Sequence, residues 1–424
     1  MILQILAQVT AEALVEAMIE VPGKYTTAKI MIDQLDELCM SQIVEMVNNH
    51  CFINQMRIMP DCHPGEGSVI GFTMPMGDKI IPNIVGVDGF CGMLACCIGF
   101  INDINYLELD QAIRDKIPFG MSINKKSKIR VDKEFAEVCK RVGIDFEYAI
   151  KSLGSLGGGN HFIEIGKSKL TGIWITVHSG SRNFGKKVCE FWQDKASARG
   201  KPNTRLKIDE IKALYPKEQW EQKVKEYKEV QRNIKPSKLD YLDGDNKDNY
   251  IRDLKIVQKY ATDNRRLMMN DILSILGNPT IIDSIETIHN YIDPTDHIIR
   301  KGAIRSYIGE RMIIPFNMKA GLLICEGKSN PDWNFSAPHG AGRVHSRAQA
   351  KELLDLEKFK DDMKDVFSTS VGAGTIDESP DAYKDPKIIE EAIEPTARIL
   401  DRVIPVLNMK DVNEKRSWKK NREK

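Results

Sequence analysis

The sequence predicts a mixed α/β (α+β) fold, and three observations carry this prediction. The chain has 424 residues, of which 42% are hydrophobic and 29% charged, a globular composition with enough apolar residues for a large core. Residues 57–100 and 151–185 combine short apolar runs with frequent Gly and Pro, which is typical of buried strands joined by tight turns. Residues 186–277 instead show helical periodicity amid Lys and Glu.

Individual elements follow from the same patterns. A helix is expected over Asp33–Asn49, because its apolar residues fall roughly on one face. The apolar runs Ile80–Ile81 and Ile84–Val87 are expected to be short buried strands. Two further strands are expected near His161–Ile165 and Ile173–Val177.

The segment 186–277 is interpreted as a helical insertion rather than an independent domain. One amphipathic face surrounds Trp220, and a second ends at Gly277, a residue type that commonly terminates helices. Between them, SKLDYLDGDNKDN predicts a turn-rich connector. The chain ends in a charged tail, residues 411–424, for which we expect a solvated segment.

Charge and cysteine content narrow the functional classes. A net charge of +1 excludes a globally basic nucleic-acid-binding protein but permits a local basic groove. The apolar runs are too short for a membrane span, and the first residues, which include Glu12 and Glu16, do not resemble a secretory signal. Nine irregularly spaced cysteines without a CxxC pair predict free thiols in a reducing cytoplasm.

A candidate metal site combines a carboxylate, a thiolate and several imidazoles. Asp88 and Cys91 lie at the end of an apolar run in VGVDGFCGM, where flanking glycines permit a tight turn. His161, His178 and His289 each begin or end a strand-like run. This donor set suits Mn, Fe, Co or Zn better than Mg or Ca. Because a lone Cys or His is usually a core residue, spacing alone leaves the metal site and an ordinary core equally open.

His339 is a candidate nucleophile for phosphorus. In HGAGR, the backbone N–H groups of Gly340, Ala341 and Gly342 would face a phosphate, and Arg343 would supply a fixed cation. Neither the spacing of a P-loop nor the KxDG lysine motif of ordinary nucleic-acid ligases occurs. A glycine-rich turn with an incidental histidine is the alternative.

Seven motifs, taken in order, resemble the RtcB family of RNA-splicing ligases. They are MPDCHPGEG, IVGVDGFCGM, GGGNHFIEIG, VHSGSRNFG, HNYI, RKGAI and HGAGRVHSR. The resemblance runs from about Ala28 to Lys410. It implies a single large ligase domain over residues 1–424, with a central metal-binding cleft and residues 186–277 as a helical insertion within it.

The resemblance also implies an activity. RtcB proteins join an RNA 3′-phosphate or 2′,3′-cyclic phosphate end to a 5′-hydroxyl end, in tRNA splicing and RNA repair, using GTP and two Mn²⁺ ions. His339 matches the histidine that attacks the α-phosphorus of GTP. GMP would then pass from His339 to the RNA 3′-phosphate, and the 5′-hydroxyl of the other RNA end would displace it.

Ligands and GTP contacts follow from the resemblance as well. Asp88, Cys91 and His161 would hold one ion, and Cys91, His178 and His289 the other, with the Cys91 thiolate bridging the two. The residues that the resemblance places around GTP, including its triphosphate, are Asn160, Glu164, Asn290, Pro315, Met318, Gly340, Ala341, Gly342, Arg343 and Lys410.

The chain departs from the family pattern at three places. VDGFCGM replaces the usual VDIGCGM, so that Phe90 stands in place of a glycine. The PGSM loop is PFNM here, and the serine expected four residues later is Leu322. The chain also continues past Lys410 as the charged tail. These changes keep two alternatives open: a metal-dependent phosphoesterase that opens cyclic phosphates without ligation, and a non-catalytic protein that binds RNA ends.

Overall fold

The computed structural model describes residues 18–33, 35–101, 103–199, 204–233 and 236–412. Across these ranges strands and helices are mixed along one large domain, so the predicted α/β class is confirmed. None of the helices in these ranges combines the length and the apolar character that crossing a membrane requires. The predicted tail lies outside the described residues from position 413 onward.

Fifteen strands are described in these ranges. In chain order they are β1 Ile19–Pro22, β2 Thr27–Ile30, β3 Met56–His63, β4 Ile70–Pro75, β5 Gly92–Gly99, β6 Phe162–Ser168, β7 Gly172–Ser179, β8 Asp283–Ile288, β9 Asn290–Ile292, β10 Ile298–Lys301, β11 Ala303–Arg305, β12 Arg311–Pro315, β13 Leu322–Gly327, β14 Ser336–Pro338 and β15 Ala397–Met409.

The α-helices of the described residues lie between and after these strands. They are α1 Glu37–Val47, α2 Pro82–Val85, α3 Tyr106–Lys116, α4 Lys133–Val142, α5 Phe146–Lys151, α6 Arg182–Arg199, α7 Thr204–Leu214, α8 Trp220–Asn233, α9 Gly244–Ile275, α10 Arg347–Leu353, α11 Leu356–Asp362 and α12 Pro386–Ala392.

Two sheets organise the described residues. One has six strands in the order β1-β2-β3-β4-β10-β9, in which β2 and β3 run parallel and the other neighbours antiparallel. The other has seven antiparallel strands in the order β12-β13-β15-β6-β7-β5-β8. Strands β11 and β14 form a short antiparallel pair. Every residue of β5 and β7 is buried, so neither strand alternates between buried and exposed positions.

The predicted helix near the start of the chain is confirmed as α1, with shorter bounds. The Asp36 side chain accepts hydrogen bonds from the backbone N–H groups of Leu38 and Cys39, which fixes the first turn. The expected strand at Ile84–Val87 was wrong, because residues 82–85 form the one-turn helix α2. Pro82 opens that helix, where its fixed φ is favourable and no N–H is needed.

The segment 186–277 is largely helical, as predicted, although α9 begins at Gly244 and so takes in the second half of the expected connector. Met268 and Ile272 of α9 share one apolar cluster with Ile175 and Val177 of β7. This helix therefore packs directly on the seven-stranded sheet. The bounds of an insertion at 186–277 stay a prediction.

Candidate metal and nucleotide site

The register of the seven-stranded sheet gathers the candidate metal ligands at one end of four adjacent strands, β6, β7, β5 and β8. Strand β5 lies between β7 and β8, and Met93 of β5 pairs with His178 of β7. Cys91 immediately precedes β5, and its carbonyl oxygen accepts a hydrogen bond of 2.9 Å from the backbone N–H of His289, just after β8. Residues nearly 200 positions apart are thus brought together by strand pairing.

The side chains converge on Cys91. Its Sγ lies 3.4 Å from Nε2 of His161 and 3.4 Å from Nε2 of His178. Nε2 of His161 lies 2.9 Å from Oδ2 of Asp88. The donor atoms form two groups, each within 4.8 Å: Asp88, Cys91 and His161, and Cys91, His178 and His289. The structure therefore brings together the two ligand sets that the resemblance implies, sharing one sulfur.

The electrostatics of the cluster fit a divalent transition metal. Burial, followed by nearby positive groups, lowers the pKa of His178 and of His289 well below the usual value, so both rings are neutral donors. Nδ1 of each of these rings is buried without a hydrogen-bond partner. Burial and the charge of Asp88 raise the pKa of the Cys91 thiol well above its ordinary value. A bound cation reverses that penalty and favours the thiolate.

Unlike the Cys91 thiol, the Asp88 carboxyl group is kept in its charged form. Burial alone would raise its pKa, but the hydrogen bond and the charge of His161 lower it to about 2. The backbone N–H of Ser181 donates to Oδ1 over 3.1 Å. Gly180 lies so close that a Cβ there would collide with the Asp88 carboxylate, which explains the glycine. The metal end thus places one fixed anion close to the neutral rings of His178 and His289.

Phe90, where the family pattern has glycine, adopts a left-handed backbone with φ of 57°. For a bulky residue this conformation costs about 1–2 kcal/mol. Its N–H donates to the carbonyl of Asn290 over 2.7 Å, and its ring packs beside Tyr291. The turn therefore keeps the glycine-like conformation, and Cys91 still points at the histidines.

His339 follows β14 and lies beside the metal cluster, with its ring centroid 4.8 Å from that of His289. Its Nδ1 is 2.6 Å from Oδ2 of Asp61, which also accepts the backbone N–H groups of His339 and Gly340. Asp61 is completely buried. Because this carboxylate accepts the Nδ1 proton, the lone pair of the neutral ring lies on Nε2. Gly342 has φ of 74° and packs on the Asp61 backbone, where a Cβ would collide.

A cavity of about 1140 Å³ extends from the metal end. This volume is slightly above the usual range for a small-molecule pocket. Its walls include His339, His178 and nine of the residues expected around GTP: Asn160, Glu164, Pro315, Met318, Gly340, Ala341, Gly342, Arg343 and Lys410. Asn290 is the remaining residue expected around GTP. Its side chain instead donates to the carbonyl of Asp88 over 3.2 Å and accepts from the N–H of Gly302 over 2.9 Å.

Glu378 joins several donors on the far wall. Its Oε2 accepts from Nζ of Lys410 and from the hydroxyl of Tyr383, each over 2.8 Å. Its Oε1 lies 3.3 Å from Arg343 and 2.8 Å from Arg347. Burial alone would raise the pKa of Glu378, but the neighbouring cations lower it to about 2. This wall is therefore a buried ion-pair network.

A donor and an acceptor lie side by side next to this network. Nζ of Lys410 donates to the carbonyl of Asn160 over 3.2 Å and lies 5.3 Å from the centre of the Phe162 ring. Glu164 accepts from the Asn408 amide over 2.8 Å, and burial raises the pKa of Glu164 to about 8. The Lys410 and Glu164 side chains can together hydrogen-bond to the edge of a flat ring.

Sequence reasoning missed two of these carboxylates. Asp61 lies inside MPDCHPGEG, one of the seven motifs that carry the resemblance, so the sequence did contain a signal for it. Glu378 lies in a segment without a recognised motif, and its partners stand up to 35 residues before it and 32 after it in the chain. Contact in space, rather than spacing along the chain, reveals it.

Comparison with known proteins points to one family. A family model described as tRNA-splicing ligase RtcB matches residues 42–151 and 142–411. The RNA-splicing ligase RtcB of Escherichia coli (strain K12) is 31% identical over 386 residues, covering 81% of this chain and 87% of that protein. The tRNA-splicing ligase RtcB of Nanoarchaeum equitans is 23% identical, covering 93% and 96%. The extent of these matches shows that the chain belongs to the RtcB family.

Proposed function

We propose that this protein is a GTP- and Mn²⁺-dependent RNA ligase that joins 3′-phosphate or 2′,3′-cyclic phosphate ends to 5′-hydroxyl ends through a histidine–GMP intermediate. The observation that carries the proposal is the position of His339. It is held by Asp61 on the wall of a large cavity, with its ring 4.8 Å from that of His289 in the metal cluster. The names of the relatives support RNA as the substrate.

His339 supplies the first nucleophile. Asp61 holds the Nδ1 proton, so Nε2 attacks the α-phosphorus of GTP while the bond to pyrophosphate breaks. The backbone N–H groups of Ala341 and Gly342 would face the phosphate, since that of Gly340 donates to Asp61, and Arg343 places a cation close by. The product is GMP bonded to Nε2.

Two transfers complete the reaction. An oxygen of the RNA 3′-phosphate attacks the phosphorus on His339, and the imidazole leaves because it is a good leaving group once protonated. The 5′-hydroxyl of the second RNA then attacks the activated 3′-phosphate, forming the phosphodiester and releasing GMP. A cyclic phosphate is first opened by water in the same site.

Metal ions take part through residues already gathered at one point. Asp88, Cys91 and His161 would hold one Mn²⁺, and Cys91, His178 and His289 the other. Bound ions would stabilise the charge on attacking and leaving oxygens. A thiolate ligand persists only where thiols stay reduced, so we place the reaction in the cytoplasm.

Guanine is selected by the donor and the acceptor at the nucleotide end. We assign Lys410 to donate to the exocyclic oxygen of guanine, and Glu164, in its ionised form, to accept from the ring N–H and amino groups. Adenine presents the reverse pattern along that edge, so it would offer neither group its partner, and such a site rejects the wrong base strongly.

The test is incorporation of label from α-labelled GTP in the presence of Mn²⁺. We expect the wild-type protein to become labelled, His339→Asn to remain unlabelled, and His297→Asn, at an exposed histidine, to behave as wild type. Labelling of the His339→Asn variant would show that His339 is not the nucleophile. RNA end assays separate the alternatives: cyclic-phosphate opening without GTP or joined product indicates a phosphoesterase, and end binding after chelation without turnover indicates a binding protein.

A further inference from the structure

Two adjacent residues of α9, Asn264 and Arg265, contact the turns that carry the candidate metal ligands. Both have 0% of their surface exposed, and Arg265 is among the largest fully buried side chains of the described residues. A buried guanidinium is costly unless its donors are satisfied. The positions of its partners therefore indicate what this arginine does.

Arg265 binds two carbonyl groups and one carboxylate. Its Nη1 donates to the carbonyl oxygen of Phe90 over 2.8 Å and to that of Ser179 over 3.0 Å. Its Nε and Nη2 donate to Oε1 of Glu286 over 3.1 and 2.7 Å. One rigid planar group thus links the turn before β5, the end of β7 and strand β8.

Each of these contacts is close to a candidate ligand in the chain. Phe90 directly precedes Cys91, and Ser179 directly follows His178. The bond to Phe90 also stabilises the left-handed turn that this residue adopts in place of glycine. Arg265 therefore sets the separation between the thiol and an imidazole through their backbones, without touching either side chain.

Asn264 makes the same kind of contact with a third turn. Its Oδ1 accepts from the N–H groups of Gly154 (2.8 Å) and Ser155 (3.2 Å), in the loop that leads to His161. Its Nδ2 donates to the Ser179 hydroxyl (3.0 Å) and to the carbonyl of Gly180 (3.1 Å). All of its side-chain bonds thus join the His161 loop to the end of β7.

We propose that Asn264 and Arg265 are positioning residues that hold the Cys91, His161 and His178 turns at the spacing required for one sulfur to serve two cations. This inference rests on the proposed metal site. A divalent transition metal binds its ligands at fixed distances. Mutation of a residue that orients a ligand without touching the metal commonly lowers metal affinity by about 10–100-fold. The helix α9, from the segment interpreted as an insertion, is then part of the metal centre.

The experiment is Co²⁺ titration of the full-length apo protein, followed through the thiolate-to-cobalt absorption that reports a Cys91–metal bond. Arg265→Lys keeps the charge but loses the planar fork, and Asn264→Asp keeps an acceptor but loses the donor to Gly180. Arg266→Lys is the matched control, because that neighbouring side chain is 63% exposed. Thermal unfolding of each apo variant is measured in parallel.

We expect Arg265→Lys and Asn264→Asp to bind Co²⁺ about 10–100-fold more weakly, with an altered absorption band, while Arg266→Lys matches wild type. Unchanged affinity and spectrum in both folded variants would overturn the inference alone. Failure of both variants to fold would also overturn it, since the pair would then serve the fold. A wild-type protein that binds no Co²⁺ would overturn the proposed metal site as well.

Discussion

The two ends of the cavity hold their polar groups by opposite means. At the metal end, burial keeps the rings of His178 and His289 neutral, and Nε2 of His178 faces the Cys91 sulfur over 3.4 Å. At the nucleotide end, Glu378 and Lys410 are equally buried but joined as an ion pair of 2.8 Å. A site for cations needs uncommitted lone pairs, whereas a site for a nucleotide needs donors whose direction is already fixed.

The same difference decides how each end tolerates substitution. In the proposed metal site, removing a neutral ligand would abolish a coordination bond but leave little uncompensated charge. Removing one member of a buried ion pair strands its partner, which costs about 3–5 kcal/mol. The metal end is therefore the more sensitive in catalysis, and the nucleotide end in stability. Four substitutions test this contrast.

Cys91→Ala has the largest expected effect, because Cys91 belongs to both ligand groups. Metal affinity should fall by more than about 100-fold, the upper end of the range for mutating a residue that only orients a ligand. The variant should also not become labelled by GTP. Titration of metal into the apo protein measures this. Cys96→Ala, on the strand β5 that Cys91 precedes and also buried, serves as the control and should bind normally. Normal metal binding by Cys91→Ala would show that the sulfur is not a ligand.

Asp61→Asn should lower the rate of labelling by about 100-fold or more, since the amide no longer fixes the Nδ1 proton of His339. Metal binding should be unchanged, which separates this effect from loss of Cys91. Single-turnover labelling with saturating GTP is the measurement. The control is Asp110→Asn, at a buried carboxylate that pairs with Arg114. A wild-type rate in Asp61→Asn would exclude an orienting role.

Glu378→Gln should weaken GTP binding by about tenfold, as expected when a buried charged donor loses its partner and its fixed direction. It should also lower the melting temperature, whereas metal affinity should stay at the wild-type value. Asp381→Asn is the neighbouring control, since that exposed carboxylate pairs with Lys358 and not with the partners of Glu378. Equal GTP affinity in both variants would contradict the assignment of Lys410 to the base.

Glu164→Gln should have the smallest effect, a change of a few degrees in how melting temperature depends on pH. Burial raises the pKa of Glu164 to about 8, whereas the unfolded chain ionises this group near its ordinary value. The wild-type free energy of unfolding therefore falls as pH rises through this window to about 8. The variant should lose this decline, while Glu352→Gln, at an exposed position, should retain it. A pH profile of Glu164→Gln identical to that of the wild-type protein would indicate that the Glu164 carboxyl lies in a more polar environment.

The metal end was largely predictable because its chemistry is encoded by residue type. Asp88, Cys91 and the histidines stood out as reactive side chains beside glycines at the ends of apolar runs, even before any resemblance. The nucleotide end was accessible only through the resemblance, since residues such as Asn160 and Lys410 are ordinary on their own. Glu378 escaped both routes, because a buried carboxylate cannot be told from a surface one by its neighbours in the chain, whereas Asp61 lies within one of the seven motifs.

By itself, the sequence determined the mixed α/β class, the family resemblance and the helical character of most of segment 186–277. Apolar periodicity and motif order are properties of the chain, and they survive without coordinates. Only the tertiary structure decided that Cys91 lies between two imidazoles, that Asp61 holds His339, and that α9 contacts the ligand turns. These relations depend on strand register and on long-range packing, which bring together groups that are up to 278 residues apart in the chain.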